Sequence, residues 1–284
     1  IQNPRYLPGT DILVDEAVER TALTARENGL PEQAAQRQGD LIRDESQSLS
    51  VTETYSVPTL KLNLPVDSWL VTETINRMNF SYSHTETRRR NPVTQSFHQW
   101  SWNFRFGYGL QFGLNNFVQP FEPVGDFFLF SPWKSVKLFY TPRSVNVSTT
   151  LNRGRTREQV RVQNAVKPIA RTFTAARSLN FNWQFVEGGL LNPGVDYTLD
   201  IASSLVHLEV DALGRQRSFG EILGDMFGAA RLIDFGIDMN YGQNIAVNTR
   251  PAVPTLWGLN RLVTPTARYT VRYDWQNNLQ AGAL

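Results

Sequence analysis

The stretch WSWNFRFGYGLQF, Trp100 to Phe112, decides how the chain is read. Its even positions are Trp100, Trp102, Phe104, Phe106, Tyr108, Leu110 and Phe112. Its odd positions are Ser101, Asn103, Arg105, Gly107, Gly109 and Gln111. Successive side chains on a strand point to opposite faces, so period-two alternation predicts a β-strand with one aromatic and one polar face. Strands of soluble sheets usually run to about five or six residues. At about 3.3 Å per residue this one spans about 43 Å, and tilted by roughly 45° it rises about 30 Å, the thickness of a bilayer's hydrocarbon core.

The same period recurs along the chain. MNFSYSHTE sets Met78, Phe80, Tyr82 and His84 against Asn79, Ser81 and Ser83. SLNFNWQFV sets Leu179, Phe181, Trp183 and Phe185 against Ser178, Asn180, Asn182 and Gln184. VDYTLDIA sets Val195, Tyr197, Leu199 and Ile201 against Asp196, Thr198 and Asp200. IDFGIDMNYG sets Ile233, Phe235, Ile237, Met239 and Tyr241 against Asp234, Gly236, Asp238 and Asn240. ARYTVRYDWQ sets Ala267, Tyr269, Val271, Tyr273 and Trp275 against Arg268, Thr270, Arg272, Asp274 and Gln276. Fainter strands are expected over 50–62, 133–141 and 143–153. Asn91-Pro92, Pro120 to Pro123, Thr141-Pro142, Asn192-Pro193-Gly194 and Pro251 to Pro254 separate the runs as turns or loops. Eight to ten strands follow, mostly sequential neighbours suited to antiparallel pairing.

A soluble β-sandwich binding module would also alternate, with its apolar residues inward. Three features favour a membrane wall: the strand length, polar faces built of Ser, Asn, Gln, Gly, Thr and Asp with little Lys or Glu, and Trp and Tyr at run ends. Aromatic girdles occupy such ends at membrane interfaces. The expected fold class is therefore mainly β, the antiparallel wall of a transmembrane β-barrel with short helical insertions. Ser101, Asn103, Arg105, Gln111, Asn180, Asn182, Gln184, Asp234, Asp238, Arg268 and Arg272 are expected to face the lumen. Trp100, Trp102, Phe104, Phe106, Phe181, Trp183, Phe235, Tyr269, Tyr273 and Trp275 are expected to contact lipid.

Two segments depart from period two. Residues 11–48 are rich in Ala, Glu, Gln, Arg and Leu, which lose little entropy in a helix. Gly29 and Pro31 should divide them into two helices with a thin apolar stripe, so 1–48 is assigned to a helical or irregular segment at a barrel end or periplasmic side, and 49–284 to strands. Near 218–230, Phe219, Ile222, Leu223, Met226, Phe227 and Ala230 recur at helical spacing. Ser218 with Glu221 forms a capping box, predicting a short amphipathic helix on a barrel wall or at the membrane interface.

The totals narrow the function classes. The chain has 284 residues, 41% of them hydrophobic, and no run approaches the length of a transmembrane helix. A net charge of +2 gives no nucleic-acid footprint. The absence of cysteine removes disulfides and thiolate chemistry. The first residues show neither a basic nor an apolar leader region, and the last lack an aromatic terminal strand; both favour an internal piece of something longer.

No motif in the sequence assembles a site of chemistry. Gly107, Gly109 and Gly113 have GxGxxxG spacing within one strand rather than the strand–turn–helix of a dinucleotide site. His84, His98 and His207 lack HExxH-type spacing, and His98 near Ser96 or Ser101 completes no Ser–His–acid set of an outer-membrane lipase. Asp196, Asp200, Asp234, Asp238 and Asp274 can meet Arg105, Arg268 and Arg272 across strands, fixing register or tuning a conduit. No enzyme activity, cofactor or metal is expected.

RSFGEILGDM (217–226), RPAVPTLWGLN and TARYTVRYDWQNN, together with PTLKLNLPVDSWL, MNFSYSHTETRRRNPVTQ, LFYTPRSVNVSTTLNR, RSLNFNWQF and VDYTLDIASSL, resemble in order a block of the SprA/Sov family. The resemblance spans about residues 50–284. It implies part of the giant outer-membrane translocon of the bacterial type IX secretion system, which in some members also serves gliding motility. The implied barrel is of the class reaching 36 strands, with a lateral opening. The implied partners are outer-membrane lipid, the rest of the same large barrel, folded cargo with a C-terminal secretion signal, a plug protein and a shuttle protein. Family members are several times longer, so these residues would form one wedge of the wall. The rival expectation is a self-contained small barrel acting as a porin, adhesin or lipase.

Overall fold

A computed structural model describes residues 4–124, 135–161, 165–211, 213–227, 235–251, 263 and 265–277. The strands are β1 (Leu49–Lys61), β2 (Met78–Arg90), β3 (Thr94–Gln111), β4 (Phe117–Val118), β5 (Lys137–Phe139), β6 (Ser144–Val160), β7 (Ala165–Val166), β8 (Ala170–Gln184), β9 (Val186–Glu187), β10 (Gly194–Ser204), β11 (Ile237–Thr249) and β12 (Ala267–Gln276). The helices are α1 (Val14–Glu27), α2 (Glu32–Ser46), α3 (Trp69–Glu73) and α4 (Phe219–Phe227). The large sheet runs β1-β2-β3-β6-β8-β10-β11-β12, with β7 on β6; β4-β5-β9 form a small second sheet. Among the described residues the order ends on β1 and β12 without closing on itself. The fold is thus mainly antiparallel β in an open sheet, and the small closed barrel is not what these residues form.

The opening stretch as far as Gln111 lies in β3, which reaches eighteen residues by starting at Thr94, in a part of the sequence where Phe97 stands on the odd side and the alternation is not yet visible. β8 starts at Ala170, before the apolar run, and β11 continues through GQNIAVNT, where small and polar residues hide the period. The strand expected over 133–141 shrinks to Lys137–Phe139 and joins the small sheet. Ile233 and Asp234 lie outside the described residues.

Two compact units divide the described chain. The first comprises Ile1–Ser56, Ser83–Asn103 and Arg153–Thr172. Here α1 and α2 form a hairpin broken where expected, with Gly29 at φ +86° and Pro31 at the start of α2. Val14, Val18, Ala22, Ala25, Ala35 and Gly39 are buried. Small residues let the helices approach closely: a Cβ on Gly39 would sit 2.8 Å from the Val18 carbonyl oxygen. Arg161 Nη1 reaches Glu45 Oε1 at 3.1 Å, tying the end of α2 to the turn after β6.

The second unit comprises Val57–Tyr82, Phe104–Asn152 and Phe173–Leu284. Its buried set includes Phe139, Phe173, Ala175, Leu205, Leu208, Ile222 and Met226. The chain leaving β10 folds back at once, and the Leu205 N–H donates to the Phe173 carbonyl at 2.8 Å. The capping box of α4 is reciprocal: Ser218 N–H donates to Glu221 Oε2 at 2.7 Å, and Glu221 N–H to Ser218 Oγ at 3.3 Å. Those bonds hold the Glu221 carboxyl below its usual range. The helix is described as far as Phe227; residues 228–230 of the expected span lie outside the described set.

Candidate functional site: the two faces of the sheet

The registers of β8, β10, β11 and β12 sort the side chains into rows. One face carries Trp183–Val195–Val247–Tyr269, then Phe181–Tyr197–Ile245–Val271, Leu179–Leu199–Gln243–Tyr273 and Arg177–Ile201–Tyr241–Trp275. The other carries Gln184–Gly194–Asn248–Arg268, Asn182–Asp196–Ala246–Thr270, Asn180–Thr198–Asn244–Arg272 and Ser178–Asp200–Gly242–Asp274. Residues directly opposite on paired strands share a face, so one period-two pattern holds across four strands.

Side-chain contacts extend both faces towards β2. Ser148 and Ser178 share a hydroxyl hydrogen bond of 2.8 Å on the polar face. On the same face, Gly109 leaves room for Asn146 and Gly107 for Asn79: an added Cβ would lie 2.8 and 2.5 Å from their Oδ1 atoms. This explains the glycines of the opening stretch, which yield space to asparagines on neighbouring strands. Opposite them, the Phe80 ring meets Phe104 at 6.2 Å and Phe106 at 5.4 Å between centroids. In the first unit, Arg153 is buried with its guanidinium 5.4 Å from the Trp100 ring, while Gly154 sits beside Ser101. By alternation Trp102 joins Trp100, and Asn103 joins Ser101.

The aromatic face is not sealed in a core. Trp100, Trp102, Phe104, Phe106, Phe181 and Trp183 are half-buried. Tyr269, Tyr273 and Trp275 are 69%, 56% and 43% exposed. The face becomes buried at Phe173, Ala175 and Ser203, where the chain turns back after β10. Near the other end of β8, the Trp183 indole N–H donates to the Phe139 carbonyl of the small sheet at 3.1 Å.

Asparagine amides and a carboxylate stitch the polar face. Asp196 accepts from Asn182 through Oδ1 and from Asn248 through Oδ2, the latter at 2.6 Å. Around Ser178, Asp200, Gly242, Arg272 and Asp274 lies an open depression of about 520 Å³. Ser101, Arg105, Gln111, Asn180, Arg268 and Arg272 are exposed, whereas Asn103 is half-buried.

Several expectations need correction. The pairing shifts between Ala202 and Ser203, so Ser203 faces Asp238 and Ser204 faces Ile237. This β-bulge inverts the alternation at the start of β11. Asp238, expected on the polar face, joins the aromatic one. Arg177 Nη2 lies 2.6 Å from Asp238 Oδ1 and 2.7 Å from Ser203 Oγ, and the Ser203 hydroxyl donates to Asp238 Oδ1 at 2.6 Å. Ile237 moves to the polar side for the same reason. Phe235 precedes the strand, its ring centroid 4.5 Å from the Arg177 guanidinium. Gln184 keeps its face, but its amide is consumed by the carbonyls of Val186, Asn192 and Pro193, closing the β8–β10 connection. Among the described residues, which leave out Asp234, the expected pairs of Arg105, Arg268 and Arg272 across strands are absent: Arg272 bonds Asp274 on its own strand at 2.6 Å.

His98 acquires the acidic neighbour its sequence spacing lacked, with Nε2 2.7 Å from Glu86 Oε1 on β2. Strand pairing alone creates that contact. No protein-family model and no curated protein matches the chain.

Proposed function

We propose that this chain is a segment of the wall of an outer-membrane protein-conducting channel, of the kind implied by its resemblance to type IX secretion translocons. The observation that carries the reading is the segregation of rows: chiefly aromatic and aliphatic side chains on one face, broken by Gln243 and Arg177, and Asn, Gln, Ser, Thr, Gly, Asp and Arg, with Ala246, on the other. A soluble sheet would cover the first face with a second layer; the other sheet among the described residues has three short strands. A bilayer supplies the missing apolar cover, and a water-filled lumen suits small uncharged polar groups.

The edges support the same reading. All ten residues of β12 are exposed and none is proline, leaving an unprotected row of donors and acceptors. An unpaired edge is untenable in hydrocarbon, so further strands of the parent barrel continue the wall past Trp275. β1 is different: it carries Pro58, whose missing N–H suits the edge of a sheet. Transport is passive, the wall making no covalent chemistry with folded cargo. Cargo with its C-terminal signal, the plug and the shuttle act on the whole barrel.

The test is directional labelling of the parent protein in native membranes. Single cysteines replace Asn180 on the polar face or Tyr273 on the aromatic face. A charged, membrane-impermeant maleimide should modify Asn180→Cys at least tenfold faster, while a lipid-soluble maleimide should reverse the preference. Equal labelling at both positions would overturn the reading.

A further inference from the structure

Beyond the tryptophans, the aromatic face ends in a basic group that no part of the wall reading uses. The group lies within the first unit. Along β3, His98 follows Trp102 and Trp100 on the same face by alternation. On β2, Arg88 reaches Glu86 Oε1 at 2.6 Å, and the same oxygen meets His98, placing Arg88, Glu86 and His98 together. On β6, Gly154 lies beside Ser101 just as Asn146 lies beside Gly109, one constant offset between the antiparallel strands. That offset sets Arg155 across from Trp100 and Arg157 across from His98.

The balance of charge on this face is basic. Arg155 and Arg157 have no carboxylate partner among the described residues; Arg155 is half-exposed and Arg157 exposed. Arg88 is 69% exposed despite its bond to Glu86. Arg90, last on β2, comes only within 3.9 Å of Asp44, and its Nε has no hydrogen-bond partner. The acidic groups facing them are Glu86, Glu53 on β1 and Asp44 on α2. β2 and β6 flank β3, about 9.6 Å apart at two strand spacings, a gap that long arginine side chains leaning in from both strands can close around one phosphate group.

We infer that Arg88, Arg155 and Arg157, grouped around His98 just beyond Trp100, bind the phosphate of a membrane-lipid headgroup. The inference rests on the membrane-wall reading. Tryptophans occupy the interface between hydrocarbon and headgroups, so the next residues outward on that face stand at phosphate depth. Arginine forks match phosphate oxygens in pairs. The occupant is the headgroup of a lipid rather than free phosphate, because an acyl chain would lie along Trp100 and Trp102.

The experiment uses the parent protein, purified in detergent, stripped of lipid and titrated with phosphatidylglycerol, phosphatidylcholine or inorganic phosphate, with bound lipid quantified. Wild-type protein should retain phosphatidylglycerol in preference to phosphatidylcholine. R155Q/R157Q should weaken that retention on the order of fivefold per arginine, and R155K/R157K should restore most of it. Undiminished retention in R155Q/R157Q overturns the inference, as does displacement of lipid by millimolar inorganic phosphate. Phase separation in a cloud-point detergent tests the underlying reading separately: partition into the aqueous phase sinks the wall itself, whereas partition into detergent with unaltered lipid retention sinks only this site.

Discussion

The helical hairpin and the large sheet solve the problem of apolar surface in opposite ways. In the hairpin, Val18, Ala22, Ala25, Ala35 and Gly39 bury one another along a narrow seam, and the outward faces are charged. In the sheet, residues as large as Tyr269 and Trp275 stay open to their surroundings, and ten residues of β12 offer an unblunted edge. A unit that buries its own apolar surface requires only water around it. The sheet, among the described residues, leaves an aromatic face and the β12 edge open.

The largest expected effect breaks or upholds that contrast within the sheet itself. Phe173 is fully buried, so Phe173→Ala should cost about 3–5 kcal/mol, read as a lowered unfolding midpoint of the parent protein in detergent. Phe104→Ala, on the open part of the aromatic face, should cost clearly less, because lipid or detergent fills the space. Equal losses would mean that Phe104 also sits in a protein core, and the comparison would fail.

The hairpin provides the next test. Gly39→Val places branched carbon against Val18, where even a Cβ lies 2.8 Å from the carbonyl oxygen and 3.1 Å from Cγ1. Overpacking of this kind costs about 1–3 kcal/mol, measured as loss of helical circular dichroism on heating. An unchanged melt would show that the seam is loose and that the hairpin, too, relies on an outside partner.

The smallest effect concerns α4. Hydrogen bonds from Ser218 lower the Glu221 pKa. A carboxyl depressed on folding stabilises the folded form above its unfolded pKa and loses that contribution as pH falls through the folded value. Order at the start of α4 should therefore hold at neutral pH and decline below the ordinary glutamate range, around pH 4, as followed by amide exchange at Ser218 and Glu221. Glu221→Gln should flatten this dependence. A profile that stays acid-sensitive in the variant would assign it to other carboxylates, such as Asp211, whose pKa is lowered chiefly by the Arg215 backbone N–H.

Much of this was legible in the residues themselves. Trp100 to Phe112 announces a strand with two unlike faces because side chains alternate wherever the backbone is extended. Gly29-Leu30-Pro31 announces a helix break, and Ser218 with Glu221 a helix start, because both signals act within a few residues. The fate of Asp238 was not legible: a bulge in the pairing of two strands 35 residues apart reverses its face and delivers it to Ser203 and Arg177. The basic group around His98 was hidden too, since Arg88 and Arg157 lie far apart in sequence and come onto one face only through the register of three strands.

Local alternation is a property of the backbone, so the sequence by itself determined that one face of this sheet is aromatic and the other polar. Register, bulge and edge are properties of pairing between distant segments. Only the tertiary structure decided which residues share a row, where the alternation inverts, and that the sheet ends open at β12 among the described residues. Those depend on hydrogen bonds between strands, which no single stretch of residues contains.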